Sequence, residues 1–406
     1  MRACPVRVRV PPPAQLRRIS YPWLLTITLG FTETVSWGVL YYAFSVFVGP
    51  MQDELGWSRG QITGAFSVAL VVLAAVGVGV GQWLDRRGPR LLMTAGSILG
   101  VVLVLAWSQV RDLTTFYALW VLMGISWSAT LYSPAFATIT AHFRERRTEA
   151  PTVVTLMAGL ASTIFYPLTA ALVSRLGWRE ALVALAALLA VATILPHALV
   201  LRRAPAHEEH PDRPSLSLGE ALRHPSFRWI AAGFALFALG SGLAVHLVPY
   251  LVGRGYDLGN AAFIAGLVGA MQVAGRIALA PLERRIPPGA VIGIVYGMQP
   301  LAILVLLLVG GAVAPFVFVV LFGAARGADT LIRNTLVARL YGARRFASIQ
   351  GVLQLVVTIA LAAGPIGLGA SYDRSGGYEV GFSVVAVASL VAAVAVWMGA
   401  RRASWE

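Results

Sequence analysis

Twelve long apolar stretches separated by short polar breaks fill this chain, and each is close to the ~20 residues that cross a hydrocarbon core as a helix. They run roughly from Trp23 to Val48, Gln61 to Trp83, Leu91 to Val110, Leu113 to Ala141, Thr152 to Val173 and Ala181 to Leu201. After a polar gap come Phe227 to Val252, Ala261 to Leu282, Ala290 to Gly310, Val313 to Leu336, Ser348 to Ala370 and Val380 to Ala400. The polar–apolar alternation of a membrane barrel is absent, whereas helices satisfy their own backbone inside lipid. The pattern predicts an all-α membrane protein of twelve transmembrane helices.

The second six stretches repeat the first six. A shift of 199 residues lays Gly56 on Gly255, Arg175 on Arg374, Gly177 on Gly376 and Glu180 on Glu379. A shift of 198 lays Asp85 on Glu283, Arg146 and Arg147 on Arg344 and Arg345, and Pro167 on Pro365. Two parallel six-helix bundles packed about an axis along the membrane normal are what a rocking carrier with one central site needs. The expected divisions are a basic tail over 1–20, a first bundle over 21–201, a linker over 202–226, a second bundle over 227–400 and a short tail over 401–406.

Charged residues make up only 12% of the chain against 58% hydrophobic, far below the charged share of a soluble domain. All 32 basic residues are Arg: 23 fall on the side of the N-terminus and six on the other, with Arg276, Arg326 and Arg333 inside spans. The net charge of +14 therefore reads as a topology signal, not a nucleic-acid surface, and predicts both termini in the cytoplasm. One cysteine, Cys4, excludes internal disulfides and Cys-rich metal sites. The first apolar stretch is too long for a signal-peptide core and lacks a small-residue cleavage site, so it stays as span one.

The gap between spans six and seven carries Pro205, Pro211, Pro214, three His and several acids, as a solvated tether does. His207 and His210 have a spacing a metal tolerates, but intervening acids in such a linker favour the tether, and no metal is expected. Ser217 and Glu220 have capping-box spacing for a short interfacial helix. Glycines such as Gly77, Gly79 and Gly81, or Gly364, Gly367 and Gly369, allow close helix contact, and packing is the expected role for most.

Gly81 to Arg90 reads GQWLDRRGPR, which resembles the G-x-x-x-D-R-x-G-x-R loop between spans two and three of the major facilitator superfamily. Asp85 can accept bonds from an Arg on a neighbouring helix, so Gly81, Asp85, Arg86, Gly88 and Arg90 form a candidate conformational latch, with Glu283 in the counterpart loop. Three further stretches resemble bacterial relatives of the monocarboxylate transporters within that superfamily: LYYAFSVFVGPMQDELGWSR from Leu40, AGRIALAPLERR from Ala274 and GPIGLGASYDRSGGY from Gly364. The resemblance implies the major facilitator fold of two pseudo-symmetric bundles, a cavity lined mainly by spans one, four, seven and ten, and movement of small carboxylates with protons. Two departures stand out. Tyr42 takes the place of a Lys usual in animal members, and Gln272 replaces the acid before the span-eight Arg.

Charges inside the spans mark the candidate site. Arg276 in span eight costs roughly 2.5 to 3.5 kcal/mol near the bilayer centre and needs a partner, either a substrate carboxylate matched by its planar fork or a structural pair. The resemblance assigns the matching Arg an anion-binding role. Glu33 sits near the middle of span one, where desolvation opposes its charged form, so it suits proton coupling as well as a fixed hydrogen bond. His246 in span seven is a second proton-coupling candidate, although its place beside Pro249 and Tyr250 also suits an interfacial residue. Asp329 can pair with Arg326 or Arg333 on span ten, and this group is expected to serve as a latch near the cytoplasmic end. Trp37, Tyr41, Tyr42 and Tyr132 are candidate cavity aromatics, against the commoner packing role.

These readings favour a proton-coupled secondary carrier for a small organic anion such as a monocarboxylate, acting as a monomeric symporter with no cofactor. A drug or metabolite efflux antiporter is the alternative. Efflux members often carry G-P-x-x-G-G in span five, and that run is absent here. An enzyme is not expected: there is no nucleophile motif or catalytic domain, and without any Lys no phosphate-binding loop can be completed.

Overall fold

The computed structural model describes residues 20–143, 149–203, 222–341 and 346–403, and these contain helices and no strand. The linker histidines His207 and His210, the pair Ser217 and Glu220, and Arg344 and Arg345 lie outside the described residues. Span one is Tyr21–Leu55, span two Arg59–Arg87, span three Pro89–Trp107, span five Glu149–Leu176 and span six Trp178–Val200. Spans seven, eight and nine are Pro225–Gly253, Leu258–Arg285 and Pro288–Leu308. Spans ten, eleven and twelve are Val313–Tyr341, Phe346–Ser375 and Glu379–Ala403.

Span four is divided. Its outer segment is Leu113–Thr130 and its inner segment Tyr132–His142, with Leu131 between them in extended backbone at φ −82°, ψ −171°. Pro134 explains the break: it has no N–H, and in a continuous helix its ring would strike the carbonyl of Thr130. For that reason eleven described helices, and not twelve, are individually long and apolar enough to cross a membrane. With its two segments joined, span four completes twelve.

Local sequence sets the helix ends. Ser58 and Gln61 form a reciprocal capping box at the start of span two, and Asp112 and Asp257 accept from the third amide of spans four and eight at 2.8 and 2.9 Å. The repeat is visible in the turns. Gly56 and Gly255 close equivalent helices at φ +68° and +93°, and Gly177 and Gly376 do so at +84° and +72°, a region that glycine enters without strain.

Lipid gives helices no hydrophobic reason to associate, so packing and interhelical hydrogen bonds hold each bundle together. In the first, Phe44, Phe66, Trp107, Trp120 and Trp127 interlock, with Trp107 and Trp120 edge to face at 5.2 Å. Ser97 bonds His197 between spans three and six at 2.8 Å. In the second, Gln299 donates to Ser389 Oγ and the Phe237 carbonyl at 2.8 and 3.1 Å, tying spans nine, twelve and seven. Such bonds contribute about 0.6 to 2 kcal/mol each in a membrane. The exposed residues are largely apolar, Val78, Leu199 and Leu308 among them, as a lipid-facing surface requires.

The bundles meet through spans two and eleven, five and eight, and one and seven. Pro167 and Pro365, matched by the repeat, lie in corresponding contacts: the Pro365 carbonyl accepts from Thr63 at 3.1 Å, and Pro167 Cδ lies 3.3 Å from where a Cβ on Gly266 would stand. At the end away from the N-terminus the Asp373 carboxylate receives the Ser58 hydroxyl at 2.6 Å and the amides of Arg59 and Gly60 at 3.1 and 2.9 Å. Arg59 also donates to Tyr378 at 2.8 Å and lies 3.8 Å above the Tyr372 ring. This end is closed.

Candidate functional site

A cavity of 480 Å³ lies between the bundles, lined among others by Phe136 and Thr155 from the first and Thr330, Arg333 and Gln350 from the second. A separate depression of 610 Å³ between Tyr250, Arg254 and Leu306 sits at the outer rim of the second bundle, off the inter-bundle axis, and does not join the two halves.

The first bundle gives the cavity an aromatic wall. Trp37–Tyr42 forms a π turn in span one, whose i→i+5 bonding brings positions four and five apart toward one face. Trp37, Tyr41 and Tyr42 thereby all reach the cavity, joined by Trp127, Tyr132 and Tyr166. The Trp37 ring lies 4.9 Å from Tyr132 and 5.1 Å from Tyr41, and Tyr42 lies 5.7 Å from Tyr166. The four aromatics singled out in the sequence, Trp37, Tyr41, Tyr42 and Tyr132, are thus neighbours on one surface.

The second bundle gives a cationic wall. Arg276 is buried, its NH1 donates to the Thr155 carbonyl of span five, and its Nε has no partner among the described residues. Gly159 makes room for it: a Cβ there would stand 2.9 Å from Arg276 NH1. Tyr42 and Gln272, the two departures from the animal pattern, line the same cavity as Arg276, so both positions are neutral there.

On span ten the expected latch is rearranged. Asp329 pairs with Arg333 and accepts the Tyr296 hydroxyl of span nine at 2.7 Å, so both its oxygens are engaged within the second bundle. Arg326 is left without a carboxylate. It lines the cavity 5.9 and 6.0 Å from the Phe237 and Phe322 rings. Side-chain spacing permits either Arg to pair with Asp329, and Tyr296, far away in sequence, accompanies the choice of Arg333.

The loop motif is disengaged. Asp85, Arg86 and Arg90 are exposed and Glu283 is partly exposed, and among the described residues neither acid forms an ion pair. The Asp85 carbonyl, not its carboxylate, is bonded, at 3.5 Å to Arg203. A Cβ on Gly81 would meet nothing within 4 Å, so the close helix approach expected there is not made. Gly88 turns the chain at φ +77°. Parted inner ends and a closed outer end account for all of this together.

Glu33 and His246 are buried but off the cavity wall. Glu33 accepts from Trp37 Nε1 at 3.0 Å and its second oxygen has no partner, so it stands directly behind a cavity aromatic. His246 is not interfacial. Its Nε2 donates to the Pro365 carbonyl at 2.9 Å, and its Nδ1 accepts from Tyr378, whose hydroxyl accepts in turn from Arg59. It belongs to the closed outer end. Sequence reasoning missed Asp373, Tyr166 and the division at Leu131; of these only the last left a local trace, Pro134 inside an apolar run.

Comparison with known proteins agrees with this architecture. The profile of the Major Facilitator Superfamily matches residues 23–365. Monocarboxylate transporter 13 of Bos taurus is 28% identical over 376 residues, covering 91% of this chain and 87% of its own. The oxalate:formate antiporter of Oxalobacter formigenes is 26% identical over 231 residues, 54% of this chain and 53% of its own. Among solved structures, a bacterial homologue of the human lysosomal transporter Spinster in an inward-facing, unoccupied conformation superimposes with a TM-score of 0.74 at 17% identity, covering 95% of this chain and 98% of that one.

Proposed function

The chain belongs to the major facilitator superfamily, a family of transporters and not of enzymes, and on that premise we propose that it is a proton-coupled secondary carrier of a small organic anion. The reading places it in a bacterial inner membrane with both termini in the cytoplasm, so that the cavity faces the cytoplasm, and takes the monomer as the working unit. Relatives named for monocarboxylates and for oxalate and formate support an anionic substrate.

The observation that carries the proposal is Arg276. Its guanidinium borders the cavity with donors unspent, and a buried Arg with unsatisfied donors is costly unless something arrives to meet them. A carboxylate does so with two parallel charge-assisted bonds. The aromatic wall opposite then holds the body of the anion, and rocking of the bundles about the closed outer contact moves it across. Glu33, behind Trp37, is the proposed proton carrier, and the loop around Asp85 with Glu283 is the latch of the opposite, outward-open state.

Uptake of a labelled carboxylate panel into proteoliposomes, with and without a pH gradient, tests this. Wild type should accumulate at least one carboxylate when the gradient is imposed. Arg276→Ala and Arg276→Lys should both lose uptake while remaining inserted, because Lys keeps the charge but not the fork. Full uptake by Arg276→Ala removes this residue from the site, and gradient-driven efflux of a cationic dye in place of carboxylate uptake overturns the reading in favour of an exporter.

A further inference from the structure

Where span four divides, the inner segment Tyr132–His142 begins a new helix at the cavity wall. The first amides of a helix have no partner within it and carry the positive end of its dipole. Here they are left open. The N-cap position is Leu131, which has no side-chain acceptor; among the described residues the amides of Tyr132 and Ser133 find no acceptor, and Pro134 has no N–H at all. At the end of the outer segment Ser128, Ala129 and Thr130 are buried, the last two close against Gly96 of span three. Ser133, by contrast, is exposed on the cavity.

A second feature converges on the same place. Arg276 is only 8% exposed, with a partnerless Nε, and lines this same cavity. Tyr132, the first residue of the inner segment, lines the cavity with Arg276, and Trp37 packs against its ring at 4.9 Å.

We propose that the start of the inner segment of span four and the Arg276 guanidinium form one carboxylate site, the guanidinium fork meeting both oxygens of the anion and the Ser133 amide giving a further bond to one of them. The inference rests on the anion-carrier reading and adds a backbone component to it. It also orients the ligand: with its carboxylate held there, the rest of the molecule lies along Trp37 and Tyr42, so an aromatic carboxylate fits the wall. Helix N-termini and guanidinium forks both select anions, but they come here from different bundles, so a bound carboxylate bridges the two halves.

The test is calorimetric titration of the purified full-length protein with benzoate. In one variant the residue at Ser133 is replaced by its α-hydroxy acid counterpart, which exchanges the N–H for an ester oxygen and keeps the side chain. The same exchange at Ala137, whose amide lies inside the segment, controls for the ester itself. Loss of one charge-assisted hydrogen bond should weaken benzoate binding by about 10-fold or more at Ser133, and by less than about 3-fold at Ala137. Ser133→Asp, which tethers a carboxylate at the opening, should abolish binding in a protein that stays monodisperse. If Arg276→Gln loses benzoate while the Ser133 ester and Ser133→Asp bind as wild type does, the backbone site is wrong and the carrier reading stands. If wild type itself binds no benzoate, the site fails together with its ligand class, and carboxylate-panel uptake then decides the carrier reading separately.

Discussion

Asp373 is the point where the closed end is most easily loosened. Its carboxylate accepts three hydrogen bonds from the other bundle: the Ser58 hydroxyl and the amides of Arg59 and Gly60. All three exist only while the outer ends are together, so Asp373→Ala removes stabilisation from this state alone. The group is solvent-exposed, and each bond is therefore taken near the ordinary net figure and not the buried charged one. Three bonds at about 0.5 to 1 kcal/mol each come to roughly 2 kcal/mol, or a shift of about 30-fold in the ratio of outward-closed to outward-open molecules. Spin labels at Asp53 and Arg374, introduced after replacing the single native Cys4, report that ratio by electron–electron double resonance in nanodiscs. The variant should show a large new population at long distance. A distribution within about twofold of wild type would mean that the Asp373 bonds do not hold the gate, and that spans two and eleven stay together by packing alone.

Three further outcomes follow from the same geometry. Glu33→Gln, a fixed mimic of the protonated acid, should keep substrate exchange and lose accumulation driven by a pH gradient; accumulation at the wild-type level would send the proton route elsewhere. His246 links the Tyr378 hydroxyl to the Pro365 carbonyl through its two ring nitrogens, so His246→Leu should shift the outer end toward the open form by an amount worth about 1 to 3 kcal/mol; label distances at the wild-type values in that variant remove His246 from the closed end. Gly369→Ala places a Cβ 2.5 Å from Thr63 Oγ1 and 2.8 Å from Gly60 Cα, so the outer end should open by an amount worth about 1 to 3 kcal/mol. Wild-type label distances in that variant would show that this contact has slack.

The fold was readable because lipid imposes a length on each apolar run and because the repeat printed the same glycines twice, at Gly56 and Gly255 and at Gly177 and Gly376. Arg276, Trp37, Tyr42 and Tyr132 could be gathered one at a time from charge and aromatic placement, and the structure gathers them on one cavity. Arg326 was assigned to a latch because helix spacing cannot say which of two arginines an acid will take; that depends on Tyr296 from another span. Asp373 and the surroundings of His246 were hidden for a related reason. Their partners lie on other spans, for Asp373 about 315 positions away, and no local pattern encodes that pairing. The break at Leu131 was masked by hydropathy, which is uniform across it.

The unequal pairing of the cavity charges has an electrical consequence. Arg333 is neutralised by Asp329, whereas Arg276 and Arg326 have no carboxylate partner among the described residues. With Glu33 protonated, the empty cavity therefore carries two uncompensated positive charges. A monoanion leaves one of them and a dianion leaves none. Each charge carried across the whole membrane field is worth about 2.3 kcal/mol per 100 mV, and one carried part of the way is worth that fraction. The membrane voltage thus acts on the empty and the loaded carrier with different force, and the steepness with which it alters turnover is a direct reading of the valence of what is bound.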